Sequence, residues 1–211
     1  MSNLFYYLKN SNCSTIPRVI EFASGERLEI LTDSCEQNDS LINNLFQWRK
    51  SAVEFGDIIP PTFDSTKQWF SNYYLANSNK LLFLVTFDSE PIGHIGFNLF
   101  FENFKILEID NVIRGKKNCC KGIMSRSLRA MLDWSIAVLS PTIFFLRTDV
   151  TNKHAINFYI NNNFSVDTLG MKNLYMELNS EDSDIYNKCI ESDAKFVVLR
   201  QTSAMFTGYS K

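Results

Sequence analysis

The sequence predicts an α+β protein of the three-layer α/β kind, with a mixed sheet flanked by helices. Three observations carry this reading. Residues 81–97 read as two strands around a short polar turn, a helical period begins at Ile123 after a further strand, and β-branched and aromatic residues return at 142–150. A hairpin followed by strand, loop, helix and strand gives antiparallel pairing first and a right-handed βαβ crossover after it. The 211 residues suit one domain with a surplus at both ends.

Residues 1–26 mix aromatics with Asn and Ser without a clean period and are expected to be an irregular or short-strand extension. Leu28–Leu31 reads as a strand. Leu41, Ile42, Leu45, Phe46 and Trp48 fall at helical spacing behind Asp39 or Ser40 as cap, predicting a helix to Lys50. Gly56 and Pro60-Pro61 mark a loop. Asp64 or Ser65 caps a second helix, whose Trp69, Phe70, Tyr73 and Tyr74 crowd one side and which ends near residues 77–79. Leu81–Phe87 is a continuous apolar strand, Asp88-Ser89-Glu90 a turn, and Pro91–Phe97 the returning strand. Phe104–Ile113 follows, with Glu108 and Asp110 on one face because strand side chains alternate. Ile123, Met124, Leu128, Met131, Leu132, Ser135, Ile136 and Leu139 define a long helix that Pro141 stops. Thr142–Val150 is a strand. Thr151-Asn152 caps a short helix through Ile160, Asn161–Asn163 ends it, and strands at Phe164–Asp167 and Asn173–Leu178 come next. Residues 1–178 are read as one domain, with 1–80 as its helical N-terminal part and 81–178 as its core. Residues 179–211 form an appendage without a predicted place.

The composition narrows the function. Hydrophobic residues at 45% and charged residues at 21% exclude a disordered chain and a disulfide-dense miniature scaffold. A net charge of -2 argues against a nonspecific nucleic-acid binder that works by neutralising phosphates. The five Cys are odd in number, lack CxxC spacing, and include the vicinal pair Cys119-Cys120, which does not ordinarily bridge without strain; with two His they offer no zinc spacing, so no metal is expected. The N-terminus shows no signal-peptide pattern and no run reaches about 18 apolar residues, so a cytoplasmic protein without a membrane partner is expected.

One loop stands out. RGKKNCCKG runs straight into a helix N-terminus at Gly122, where freed main-chain N–H groups and the helix dipole favour an anion. Lys116, Lys117, Lys121 and Arg126 add positive charge there, although such lysines also serve solubility alone. On the next helix Asn152, Ala155 and Tyr159 recur on one face, either as a ligand-binding face or with the Tyr on a core edge. His154 points elsewhere and is expected to be solvated. Cys119 and Cys120 invite a nucleophilic reading, since a thiol at a helix N-terminus has a lowered pKa.

Taken in order, EIDNVIRG, KKNCCKGIM, a long helix, FFLRTDV and TNKHAINFYINNNF resemble the GNAT superfamily of N-acetyltransferases over residues 81–178. Asn152, Ala155, Tyr159 and Phe164 match the family's N-x-x-A-x-x-x-Y segment closely. The Q/R-x-x-G-x-G/A loop matches in part, with Cys119 in place of Arg or Gln, Gly122 present, and Met124 in place of the final small residue. The resemblance implies a GNAT-type central mixed, mostly antiparallel twisted sheet with a splayed strand pair, and acetyl-CoA as cofactor. It implies cofactor contacts from Val112, Ile113, Arg114, Lys117, Asn118, Cys119, Cys120, Lys121, Gly122, Ile123, Met124, Asn152, Ala155, Phe158 and Tyr159.

For direct transfer it implies Tyr159 as acid for the departing thiolate, a main-chain N–H near Val112 or Ile113 as oxyanion donor, and Glu108 or Asp110 as base. His94, in Gly-His-Ile-Gly, is the third candidate because an ordinary His pKa suits proton shuttling, against the alternative of a buried structural group. On the acceptor side Trp48, Arg49, Trp69 and His94 make the chain similar to members that acetylate nucleotide-linked amino sugars. There Arg49 or a nearby Lys would meet diphosphate and a ring would stack on base or sugar, although Trp48 and Trp69 also read as helix-face core residues. Protein N-terminal acetylation and a non-catalytic CoA- or sugar-binding module are the alternatives, and a homodimer stays open.

Overall fold

The computed structural model describes residues 4–10, 16–52, 60–99, 106–168 and 196–202, and the chain forms two compact units, Met1–Pro141 and Thr142–Lys211. The expected strand at 173–178 and the loop at Gly56 lie outside the described residues.

The first unit holds strands β1 (Val19–Ala23), β2 (Glu26–Ile30), β3 (Lys80–Phe87), β4 (Glu90–Leu99) and β5 (Ile106–Arg114), in that spatial order. Each runs antiparallel to its neighbour. The β3–β4 turn places Asp88 (φ 48) and Ser89 (φ 67) in the left-handed region, the two positive φ angles whose twist suits a two-residue hairpin. Period-two alternation then divides the sheet. Leu82 and Leu84 pack against helix α2 (Asp39–Ser51), in a core with Leu41, Ile42, Leu45, Trp48, Phe70 and Tyr74. Phe83, on the other face, meets Trp134 of helix α4 (Ile123–Leu139) edge-on at 5.3 Å.

The structure corrects the N-terminal reading. Leu4–Lys9 is a short helix, α1, whose Phe5 and Leu8 are buried; six residues are too few to display a helical period. Asn38, not Asp39 or Ser40, caps α2 by accepting from Leu41 N, and Thr62 caps α3 (Phe63–Gln68) in a reciprocal box with Ser65. α3 then widens into a π-helical turn, Trp69–Leu75.

The second unit holds β6 (Ile143–Asp149), helix α5 (Lys153–Ile160), β7 (Ser165–Val166) and β8 (Phe196–Thr202). Its strand order is β6-β8-β7, with β8 antiparallel to both neighbours. The segment without a predicted place therefore supplies this unit's central strand. Among the described residues no helix is long and apolar enough to cross a membrane.

Lys9 ties α1 to the π turn. Its buried ammonium donates to Tyr74 O at 2.6 Å and Asn77 O at 2.5 Å, satisfying carbonyls that a helix end leaves open. Burial pulls its pKa from 10.5 down to about 8. The native state thus binds fewer protons than the unfolded chain between these values, and the Lys9 contribution to stability rises with pH across that window. We expect the stability difference between wild type and Lys9→Met, read by urea unfolding, to shift in favour of wild type between about pH 7.5 and pH 10. A constant difference would show that Lys9 is not desolvated.

Candidate active site

The first unit's site begins with a defect in strand pairing. His94 pairs with Ile113 and Gly96 with Asp110, so β5 carries one residue more than β4 over this span, a β-bulge. Asn111 takes φ 49 there, a conformation that Asn tolerates better than most residues. The ring of His94, fully buried, lies within 2.8 Å of Asn111 O through Nδ1. A carbonyl only accepts, so Nδ1 carries the proton and Nε2 the lone pair. Burial pushes the His94 pKa down to about 4, reinforced by the positive charge of Arg49 and opposed by the Asn111 bond. His94 is therefore neutral at physiological pH, which removes the proton-shuttle argument that rested on an ordinary pKa. Among the described residues Nε2 is buried with no hydrogen-bond partner.

The expected shared face of Glu108 and Asp110 carries two different environments. Asp110 Oδ2 accepts from Lys80 Nζ at 2.8 Å and from the Tyr74 and Tyr73 hydroxyls at 3.2 and 3.5 Å, while Oδ1 accepts from Asn111 Nδ2 at 2.6 Å. Glu108 is buried, with Oε2 accepting from Asn98 Nδ2 at 2.8 Å. Burial opposes charge on Lys80, but the Asp110 carboxylate more than offsets it and the Lys80 pKa is raised. Burial and then Asp110 push the Tyr74 hydroxyl well above its usual pKa, so it stays a proton donor.

Above this face stands a cation–aromatic column. The Arg49 guanidinium lies 4.3 Å over Trp69, Trp69 stacks on Tyr73 at 6.2 Å and 15°, and Lys80 Nζ sits 4.1 Å over Tyr73. The π turn places Trp69 and Tyr73 one above the other. Trp48, by contrast, is buried in the helix core, with its indole against Gly115, where a Cβ would fall 2.0 Å from Nε1. Trp69 is half-buried and packs against the same core.

The polar loop leads from Gly115 to α4. The N–H groups of Gly115 and Lys116 both donate to Ile92 O, at 2.8 and 2.9 Å. The Arg114 guanidinium spans the loop, donating to Lys116 O at 3.0 Å and to Cys119 O; it acts on the loop's own backbone. Gly122, with φ 81, is the N-cap residue of α4, and no side chain caps that helix. Two of the four expected cations are already paired. Arg126 binds buried Glu26 through two nitrogens, one at 2.7 Å, and Lys116 binds Glu90 at 2.5 Å. Lys117, Asn118 and Lys121 remain exposed beside the uncapped turn. The side chains of Ile123 and Met124 are buried, so those residues offer only main-chain groups. Partial desolvation and then the neighbouring Cys119 raise the Cys120 thiol to about 11, opposite to the lowering expected at a helix N-terminus.

In the second unit Asn152 Oδ1 caps α5 by accepting from Ala155 N at 3.0 Å, so that oxygen is committed to the helix. Tyr159 is buried, edge-on to Phe158 at 5.0 Å and to Phe164 at 5.7 Å. His154 is exposed, as expected.

Residues 42–164 match the acetyltransferase (GNAT) family, more than half of the chain. The chain belongs to the GNAT family. It is an acetyl-CoA-dependent N-acetyltransferase. Three solved structures are similar to it. RimL, a ribosomal L7/L12 alpha-N-protein acetyltransferase in complex with coenzyme A, has a TM-score of 0.61 and 14% identity, over 87% of this chain and 97% of that one. The Campylobacter jejuni N-acetyltransferase PseH has a TM-score of 0.54 and 18% identity, over 85% of this chain and 99% of that one. FdhC, a nucleotide-linked sugar GNAT, has a TM-score of 0.62 and 14% identity, over 89% and 92%. At these identities the likeness is one of fold. No curated protein matches the sequence.

The residues present fit the GNAT cofactor: a left-handed glycine opens an uncapped helix turn beside two exposed lysines, the arrangement a pyrophosphate needs. Two glycines test the loop. Gly122→Ala forces a Cβ into the left-handed region, about 1–2 kcal/mol, and is expected to raise KM for acetyl-CoA more than it lowers kcat. Gly115→Ala drives a methyl into Trp48 and is expected to cost more stability than Gly122→Ala in urea unfolding. Equal melting of Gly115→Ala and wild type would contradict the Trp48 contact.

Proposed function

We propose that this GNAT enzyme acetylates the primary amine of a nucleotide-linked amino sugar. The observation that supports this best is the column Arg49–Trp69–Tyr73–Lys80. Half-buried Trp69 and exposed Tyr73, beside the Arg49 guanidinium, suit a ligand that carries a sugar or base next to an anionic diphosphate, while Lys80 is taken up by Asp110. Glycans apart, peptide N-termini are the competing acceptor, in line with the ribosomal-protein enzyme among the similar structures.

Acetyl-CoA, when bound, supplies an acetyl thioester. Main-chain N–H groups after Gly122, with Lys117 and Lys121, would hold its pyrophosphate. His94 holds the Asn111 bulge through Nδ1–H, a positioning role that its buried, neutral ring fills without meeting the substrate. By the resemblance the base that takes the amine proton is Glu108 or Asp110; the Asp110 oxygens accept from Lys80, Tyr73, Tyr74 and Asn111, and Glu108 accepts from Asn98. Tyr159, by its match to the family's Tyr, donates the hydroxyl proton that the thiolate needs.

Offering nucleotide amino sugars and peptides as acceptors with acetyl-CoA, and following free thiol, separates the two readings. Turnover is expected with the sugars, and turnover with peptides alone would replace this proposal. Tyr159→Phe should lower kcat by about tens-fold or more at nearly unchanged KM; an unchanged kcat removes Tyr159 from the acid role.

A further inference from the structure

Cys119 and Cys120 are consecutive, yet their sulfurs lie 3.2 Å apart. In extended chain, successive side chains point to opposite sides. Here Cys120 takes a positive φ of 33, which turns its side chain back toward its neighbour. Both cysteines are free and partly exposed. The backbone that carries them is held by bonds in which neither thiol takes part: Arg114 donates to Cys119 O, Ile123 N donates to Cys120 O at 3.1 Å, and Arg126 Nη1 donates to Lys121 O at 3.0 Å. The two sulfurs are thus presented as a pair before any ligand arrives, and little ordering remains for a ligand to impose.

We propose that Cys119-Cys120 is a vicinal dithiol site that takes a trivalent organoarsenical. The geometry selects this class among thiophiles. Tetrahedral zinc wants four ligands, and among the described residues no group of three or more His, Cys, Asp or Glu could hold a metal ion. Linear two-coordinate soft ions need their sulfurs on opposite sides of the metal, farther apart than this pair. Trivalent arsenic is pyramidal: it binds two sulfurs at adjacent corners and keeps its organic group at the third. The step is a condensation. An arsenoxide R–As=O loses its oxygen, two S–H bonds break, two As–S bonds form, and the oxygen leaves with both protons as one water; arsenic stays trivalent and nothing is oxidised. The raised pKa of Cys120 agrees with this choice, since it disfavours single-site attack by a thiolate. The site lies in the loop to which the proposed function assigns the cofactor's pyrophosphate, and the expected competition with acetyl-CoA rests on that reading.

The test treats the full chain with phenylarsine oxide and reads intact mass. We expect one phenylarsenic per chain, removed by 2,3-dimercaptopropanol and resistant to a monothiol at equal thiol concentration. Cys119→Ser and Cys120→Ser should each lose the monothiol-resistant adduct, while Cys35→Ser keeps it. Absence of the adduct in wild type, or its persistence in both loop variants, overturns the site. A second reading keeps the two proposals apart: the adduct should abolish the rise in melting temperature that acetyl-CoA gives. Adduct formation with that rise intact would leave the dithiol site standing and remove this loop from the cofactor.

Discussion

The hydrogen bond from His94 Nδ1 to Asn111 O, at 2.8 Å inside the first unit, is the contact on which its site depends. An extra residue in β5 takes the Asn111 carbonyl out of the ladder, and a buried carbonyl without a donor costs about 1–3 kcal/mol. A neutral imidazole supplies the donor without burying a charge. Glycine at 93 and 96 makes room around it: a Cβ at Gly93 would fall 2.3 Å from Ile113 O, and one at Gly96 would fall 2.7 Å from Leu81 O. The same bulge sets the registers of Asp110 before it and of Arg114 after it, so the carboxylate and the guanidinium of the polar loop both depend on one backbone irregularity.

From Asp110 the constraint passes to the helices. Lys80 joins that carboxylate to the face of Tyr73, and the π turn aligns Tyr73 with Trp69 beneath Arg49. Trp69 and Tyr73 are four residues apart, a spacing that keeps two side chains on one side of a helical turn. Lys9 secures the end of that turn by binding its last carbonyls. A short N-terminal helix is thus tied to the aromatic turn through a single buried ammonium.

Much of this was legible in sequence. The β3–β4 hairpin, α4, β6 and the Asn152 cap follow from alternation, helical period and cap chemistry, which are local. The resemblance at Asn152, Ala155 and Tyr159 pointed to the family that residues 42–164 then matched. The remainder depends on distant partners. Arg126 and Lys116 read as anion-binding charges until Glu26 and Glu90 are found against them, and Glu26 lies far away in the chain. Lys80, Tyr73 and Tyr74 gave no sign that they serve Asp110. The bulge left a faint trace, an Asn following Asp110 in a strand of apolar residues, but one positive φ has no periodicity to betray it. Trp48 shows the opposite case: an aromatic that suggested ligand stacking is packed on Gly115 because that glycine has no side chain to exclude it.

The bulge and the site around it depend most directly on the state of the His94 ring. The chain has two His, and the exposed His154 supplies the comparison. Long-range proton–nitrogen NMR correlation of the labelled full chain, taken from about pH 8 down to about pH 5.5, should show His94 with a protonated Nδ1, a bare Nε2 and shifts that do not move. A His94 that carries its proton on Nε2, or that titrates within this range, would contradict the bond to Asn111 and the neutral buried ring that makes it.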